Sequence, residues 1–158
     1  MDESIEIRFV QAGDGERLLE IFMSSIHALA ASDYSAAEIA AWTSRMDGRR
    51  LETRLMGTTG LVASASGQVV GFGALDAVHG ELDFLYVHPS FSRRGIGRRL
   101  AAAIEERAAL AGLKRLELTA SLNAVAVYER FGYRRLRDMV KTIDHVAVPC
   151  VRMEKDLV

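Results

Sequence analysis

The chain has 158 residues, of which 49% are hydrophobic and 26% charged, with 13 Gly and 2 Pro. This composition is typical of one folded domain and excludes a disordered chain, a collagen-like repeat and a disulfide-stabilised scaffold. The 20 Lys and Arg against 21 Asp and Glu leave a formal charge of -1. The chain as a whole therefore gives no reason to expect nucleic acid or an anionic membrane as a partner.

Cysteine usage and the start of the chain indicate a cytoplasmic protein. The one cysteine, Cys150, cannot form an intramolecular disulfide, which suits a reducing compartment. The acidic start from Met1 to Ser4 has no apolar segment, so we expect no secretory leader, and no stretch reaches the roughly 18 apolar residues of a membrane helix. Without linker or repeat, residues 1–158 are expected to form a single domain.

The first part of the chain predicts a strand followed by two helices. Apolar and charged residues alternate over residues 5–9, as in a half-buried strand. Asp14 is placed to cap a helix whose apolar residues recur at helical spacing. Ser35 and Glu38 have the spacing of a capping box, which predicts the start of a second helix.

The remainder predicts six strands and two further helices. Two apolar runs around Ser66-Gly67 indicate a β-hairpin over residues 60–75, and the next strand ends at Pro89. Apolar residues recur at helical spacing over residues 96–110, which predicts a helix. The last predicted elements are a strand at 116–119, a helix at 124–131, and strands at about 133–141 and 146–157. The order predicts an α/β domain around a mixed sheet.

The segment from residue 82 to 97 carries the chemistry, because a strand runs through a glycine-bearing loop directly into a helix. Gly95 and Gly97 allow close approach of a ligand, and the free amides and dipole of a helix start favour an anion. Residues 90–115 hold seven Lys or Arg against two Glu, a balance of +5 that we interpret as one compact basic site. The glycine spacing fits neither a dinucleotide fingerprint nor a P-loop. The alternative to an anion site is an arginine-rich helix start that only contacts solvent.

Segment 92–97, Ser-Arg-Arg-Gly-Ile-Gly, resembles the signature of the GNAT superfamily of acetyl-CoA-dependent N-acetyltransferases, Gln/Arg-x-x-Gly-x-Gly/Ala between strand and helix. Segments 85–89 and 123–133 resemble the flanking strand and the second cofactor segment of that family. Ser92 departs from the usual Gln or Arg, and its shorter side chain is expected to weaken one contact to the pyrophosphate without affecting the backbone amides. The resemblance implies a GNAT-like α/β (α+β) fold, with a mixed, largely antiparallel sheet of six to seven strands and about four helices.

The same resemblance implies acetyl-CoA as the acetyl donor, with no metal. The strand before the loop would diverge from the next parallel strand, and the pantetheine arm would lie between them like an added strand. The cofactor-binding residues implied in this way are Leu85, Tyr86, Val87, Ser92, Arg93, Arg94, Gly95, Ile96, Gly97, Arg98, Asn123 and Tyr128.

Proton transfer needs an acid and a base. Tyr128 matches the tyrosine that many GNAT enzymes place near the cofactor sulfur, where it would protonate the leaving thiolate. Glu81 occupies the place of the glutamate base in some GNAT histone acetyltransferases, and Asp83 would share its strand face, so that two close carboxylates could raise one pKa. The alternative is that Glu81 and Asp83 are solvated acids at the start of the strand. His79 and His88 are alternative candidates for the base.

Tyr34 and Trp42 lie in the region that commonly borders the acceptor pocket in GNAT enzymes, with core packing as their alternative role. We interpret Cys150 as a buried strand residue rather than a nucleophile. No grouping of His, Cys and Asp has the spacing of a metal site.

The expected function is direct transfer of an acetyl group from acetyl-CoA, in a ternary complex, to a primary amine of a small molecule or polypeptide. Neither a nucleic acid nor a membrane is expected as partner, and a homodimer is left open. The rivals are a non-catalytic acyl-CoA-binding module and a nucleic-acid-binding domain that uses the basic face of residues 93–115.

Overall fold

The computed structural model describes residues 4–157, and the first three residues of the acidic start lie outside this range. The described residues form seven strands and five α-helices, with 3-10 turns at Pro89–Phe91 and Leu122–Ala124. The strands are β1 Ile5–Phe9, β2 Thr59–Ala65, β3 Gln68–Asp76, β4 Glu81–Val87, β5 Arg115–Ser121, β6 Arg134–Ile143 and β7 Val146–Asp156. The helices are α1 Gly15–Leu29, α2 Ala36–Thr43, α3 Gly48–Met56, α4 Ile96–Leu110 and α5 Val125–Arg130.

The strands form one sheet in the order β1-β2-β3-β4-β5-β7-β6. All neighbouring pairs are antiparallel except β4 and β5, which are parallel. The structure therefore confirms the predicted mixed and largely antiparallel sheet. Ser66 and Gly67 both have positive φ, as a two-residue hairpin turn requires.

Two hydrophobic cores cover the two faces of the sheet. On one face, α4 and α5 pack through residues such as Leu100, Ile104 and Val125. On the other face, α1, α2 and α3 pack through residues such as Phe22 and Leu51. This second face also carries the aromatic side chains of β3 and β4, so the helices α1 to α3 border the aromatic part of the sheet.

Glycines in β3 set the height of α4 above the sheet. A Cβ at Gly71 would lie 3.1 Å from Leu100 Cδ1, and a Cβ at Gly73 would lie 2.7 Å from Ile104 Cδ1 and 2.8 Å from the Phe84 carbonyl oxygen. The contacts at Gly73 are too close for a side chain, and the contact at Gly71 is tighter than side chains usually make, so glycine at both positions lets α4 pack closely on β3.

Helix α3 is the element that the sequence analysis did not predict. Asp47 caps it by accepting a hydrogen bond from the Arg50 amide at 2.8 Å, but only Leu51 and Leu55 are buried. Asp14 also differs from its predicted role. Its carboxylate does not cap α1 but binds Arg8 and the Gln11 amide, and these bonds hold its pKa below the ordinary value.

The predicted capping box of α2 is present, with the Ser35 hydroxyl and the Glu38 carboxylate each bonded to the other's backbone amide. Within residues 4–157 no helix combines the length and apolar character that crossing a membrane requires.

Replacing Gly73 by Ala is expected to lower the free energy of unfolding by about 1–3 kcal/mol, because the new methyl group would overpack the contact between β3 and α4. Urea denaturation measures this change. Gly57→Ala is the matched control, since its Cβ would meet only the carbonyl oxygens of Thr53 at 3.3 Å and Arg54 at 3.7 Å, which are looser contacts than those at Gly73. Equal stability of Gly73→Ala and the wild type would contradict the close approach.

Candidate active site

Strands β4 and β5 meet only at their beginnings. The Glu117 amide donates to the Gly80 carbonyl at 3.0 Å, and Glu81 and Glu117 are the one registered pair between the two strands in the described chain. Further along, β4 continues its pairing with β3 to Val87, while β5 continues its pairing with β7 to Ser121. The two strands therefore diverge and leave a V-shaped gap between them.

The backbone of β4 offers hydrogen-bonding groups to this gap. The amide that follows β4, at His88, donates to the Val70 carbonyl on the β3 side at 2.8 Å. Because successive strand residues direct their N–H and C=O groups to opposite edges, the groups of Val87 and Leu85 face the gap. Of the three strand residues predicted to bind a cofactor, Tyr86 faces β3 with its backbone.

The glycine loop and the start of α4 lie at the mouth of the gap. Gly95 is the N-cap of α4 and adopts φ +76, where glycine is favoured. The amides of Ile96, Gly97 and Arg98 have no carbonyl partner within the helix. A Cβ at Gly97 would lie 3.8 Å from Val87 Cγ2 and 3.9 Å from Phe131 Cζ, which places this glycine between the end of β4 and the end of α5.

Ser92 does not point to the helix start. Its hydroxyl donates to the Pro89 carbonyl oxygen at 2.9 Å and thereby closes the 3-10 turn at Pro89–Phe91. The adjacent Arg93 has φ +62, an uncommon value for a residue with a side chain. The short side chain of Ser92 therefore stabilises the turn that precedes the glycine loop.

The predicted compact basic site is wrong in its extent. Arg94 stacks on Phe91 and Arg98 stacks on Phe131, both near the helix start. Arg107, by contrast, lies in the last turn of α4 over Phe9, and Arg115 pairs with Glu154 and Asp156 at the start of β5. A helix of 15 residues is about 22 Å long, so the charges that are adjacent in sequence are spread along it.

Asn123 and Tyr128 lie in the turn and the helix that follow β5, the strand on the far side of the gap. Asn123 lies in the 3-10 turn that follows β5, and its side-chain oxygen is buried with no hydrogen-bond partner in the described chain. A buried polar atom without a partner is uncommon and points to a ligand or water. Tyr128 packs edge-on against Phe131 and Tyr133, and burial raises the pKa of its phenol above the ordinary value.

Glu81 and Asp83 are each bound by an arginine. Glu81 Oε1 accepts a hydrogen bond from Arg152 at 2.7 Å, whereas both oxygens of Asp83 accept from Arg54 at 3.0 and 3.1 Å. A β-bulge at Asp83 adds one residue to β4 relative to β3. The two carboxylates therefore turn to arginines on different elements, β7 and α3, and do not share a site as an uncompensated pair.

Tyr34 is buried and bonded rather than exposed to a ligand. Its hydroxyl donates to the Pro149 carbonyl oxygen at 2.6 Å and accepts from the Leu122 amide at 2.8 Å. Its ring packs edge-on against the partly buried Trp42, with centroids 5.4 Å apart. Trp42 in turn lies beside Tyr86, and burial raises the pKa of the Tyr86 phenol above its ordinary value.

The remaining candidates are bonded to other groups or buried. His79 is exposed and binds Asp76, which raises the pKa of the histidine, while His88 accepts a hydrogen bond from the Ser90 amide. Cys150 is buried in β7, and burial raises the pKa of its thiol, so the thiolate form is disfavoured. Among residues 4–157, no group of three His, Cys, Asp or Glu could hold a metal ion.

The sequence analysis missed Arg152, whose guanidinium binds Glu81. Arg152 is largely buried and also approaches Thr119 at 3.0 Å and Glu117 at 3.6 Å. No local pattern marks it, because Glu81 is 71 positions away in the chain.

Known proteins with similar sequences and structures define the class of this chain. The acetyltransferase (GNAT) domain family matches residues 30–157. The uncharacterized N-acetyltransferase YafP of Escherichia coli is 29% identical over 134 residues, which cover 85% of this chain and 84% of YafP. The chain therefore belongs to the GNAT family of acetyltransferases and is an acyltransferase.

Two solved structures support the same family. A GCN5-related N-acetyltransferase from Rhodopseudomonas palustris is 31% identical with a TM-score of 0.92, and the match covers 99% of this chain and 98% of that one. The PaiA N-acetyltransferase from Thermoplasma acidophilum, solved in complex with coenzyme A, is 25% identical with a TM-score of 0.79, and the match covers 97% and 99% of the two chains. The predicted GNAT resemblance and fold are confirmed.

Proposed function

We propose that the chain is a single-domain N-acetyltransferase that transfers an acetyl group from acetyl-CoA directly to a primary amine of a small molecule or polypeptide. The observation that carries this proposal is the gap between β4 and β5. It exposes backbone hydrogen-bonding groups of β4 and ends at the start of α4, where free amides favour an anion. The single cysteine, Cys150, suits a reducing compartment, and we propose that the reaction takes place in the cytoplasm.

The residues around the gap fit acetyl-CoA. The backbone groups of Leu85 and Val87 would hold the pantetheine arm as an added strand, and the unpartnered oxygen of Asn123 would accept a hydrogen bond from one of its amides. The amides from Ile96 to Arg98, with the arginines at the helix start, would bind the pyrophosphate. When bound, acetyl-CoA supplies an activated acetyl group as a thioester.

We assign the acid to Tyr128. Its buried phenol stays protonated at neutral pH because burial disfavours the phenolate, so it is a hydrogen-bond donor throughout the working range. The leaving thiolate would be desolvated in the same gap, which raises its own affinity for a proton. Tyr128 would donate the proton to that sulfur.

We assign the base to Glu81 rather than Asp83. Glu81 keeps its Oε2 oxygen without a hydrogen bond to any residue of the described chain, whereas Arg54 occupies both oxygens of Asp83. Arg152 would orient Glu81, which would take a proton from the acceptor amine directly or through water. Asp83 would position Arg54 beside Phe84, over whose ring that guanidinium lies at 5.0 Å.

The proposal is tested by calorimetric titration with CoA, followed by release of free CoA from acetyl-CoA with a panel of primary amines. We expect saturable CoA binding and amine-dependent turnover. CoA binding without turnover on any amine would favour the acyl-CoA-binding module, and salt-sensitive binding of DNA that CoA does not displace would favour the nucleic-acid rival.

Tyr128→Phe is expected to lower kcat on the order of 10²-fold, because it removes the proton donor and keeps the ring. The Kd for CoA should stay within about threefold of the wild-type value. Tyr133→Phe is the matched control: it removes a buried phenol hydroxyl that binds Glu105 at 3.0 Å, so stability should fall without loss of kcat. Equal kcat in Tyr128→Phe and the wild type would contradict the assignment.

Glu81→Gln is expected to lower kcat on the order of 10²-fold or more, since the amide cannot take the proton of the amine. Glu117→Gln is its control, because Glu117 approaches the same Arg152 at 3.6 Å but is assigned no proton. Steady-state rates with a responsive amine measure both. If the two variants lose the same activity, Glu81 acts through the charge of Arg152 and is not the base.

A further inference from the structure

Tyr34 connects three parts of the chain through one buried hydroxyl. It lies between α1 and α2, donates to Pro149 in β7 and accepts from Leu122 at the start of the 3-10 turn. The residue is only 6% exposed. The donor and one acceptor position of the phenol are thus both used, and the hydroxyl is not presented to an acceptor substrate.

The Leu122 amide is the first amide after β5 leaves the sheet. The ladder between β5 and β7 ends at the pair Ser121 and Cys150, and the chain then turns through Leu122 to Ala124. Beyond the last ladder pair, an amide needs another partner, and the Tyr34 hydroxyl supplies it at 2.8 Å. This bond fixes the place where the chain turns, and the next residue is Asn123.

We infer that Tyr34 is a positioning residue that holds Asn123 in place for cofactor binding. The side-chain oxygen of Asn123 is buried without a partner in the described chain, so no hydrogen bond to this oxygen holds it, and the backbone at Asn123 sets where it can reach. The two hydrogen bonds of Tyr34 hold that backbone against β7. This inference rests on the proposed binding of CoA in the gap.

The ring of Tyr34 also connects, through Trp42, to β4 on the other side of the gap. It contacts Trp42, and Trp42 contacts Tyr86 on β4. Tyr34 therefore lies between the strand that carries the pantetheine and the turn that carries Asn123. Simple core packing explains the ring contacts, but it does not require a hydroxyl that bonds both Pro149 and Leu122.

A double-mutant cycle on CoA affinity separates positioning from packing. Asn123→Ala should weaken CoA binding about two- to tenfold, as expected for loss of one hydrogen bond. Tyr34→Phe, which keeps the ring, should weaken it by a similar factor. The double variant should bind CoA about as well as Asn123→Ala alone, because Tyr34 acts through Asn123.

Tyr133→Phe is the matched control, since it also removes a buried phenol hydroxyl but on the opposite face of the sheet. It should lower the melting temperature and leave the Kd for CoA unchanged. If Tyr34→Phe also changes only the melting temperature, or if its effect multiplies with that of Asn123→Ala, the inference is overturned. A wild-type protein that binds no CoA would instead contradict the proposed function.

A second measurement needs no substitution. Binding of CoA to Asn123 should stabilise the turn reciprocally, so hydrogen exchange at the Leu122 amide should slow when CoA is added. We expect about two- to tenfold slower exchange, because the coupling acts on the turn by the same factor as on CoA binding. An unchanged exchange rate at Leu122, with CoA bound, would contradict the coupling.

Discussion

Strands β4 and β5 are hydrogen-bonded where Glu81 faces Glu117 and separate beyond that pair, and each functional assignment depends on this divergence. The sheet gives up ladder hydrogen bonds at its centre, where a continuous sheet would use them. Antiparallel pairing with β3 on one side and β7 on the other holds the two strands apart. The backbone of β4 is thereby available to an extended ligand, and the start of α4 lies at the mouth.

The arginines that are adjacent in the sequence lie in different places in the folded chain. The arginines of α4 are divided between the helix start, where they lie near the proposed pyrophosphate site, and its far end, where Arg107 covers Phe9. On the other face, Arg54 and Arg152 bind Asp83 and Glu81. Arginine therefore binds carboxylates at the closed end of the gap, and in the proposed complex it would bind the pyrophosphate at the mouth.

Local patterns predicted the features that depend on local physics. The stripe of α4, the hairpin turn at Ser66-Gly67 and the glycine loop are all set by residues close together in sequence. Helix α3 was missed because only two of its residues are buried. The bonds of Tyr34 span 88 and 115 positions, so no spacing rule reveals that this predicted substrate residue is buried and bonded to backbone.

A crystal structure of the chain with CoA tests the central claim most directly. We predict that the pantetheine lies between β4 and β5, with its amides bonded to the backbone of Leu85 and Val87 and to Asn123, and its pyrophosphate at the start of α4. CoA bound elsewhere, with β4 and β5 closed into a continuous ladder, would contradict the account.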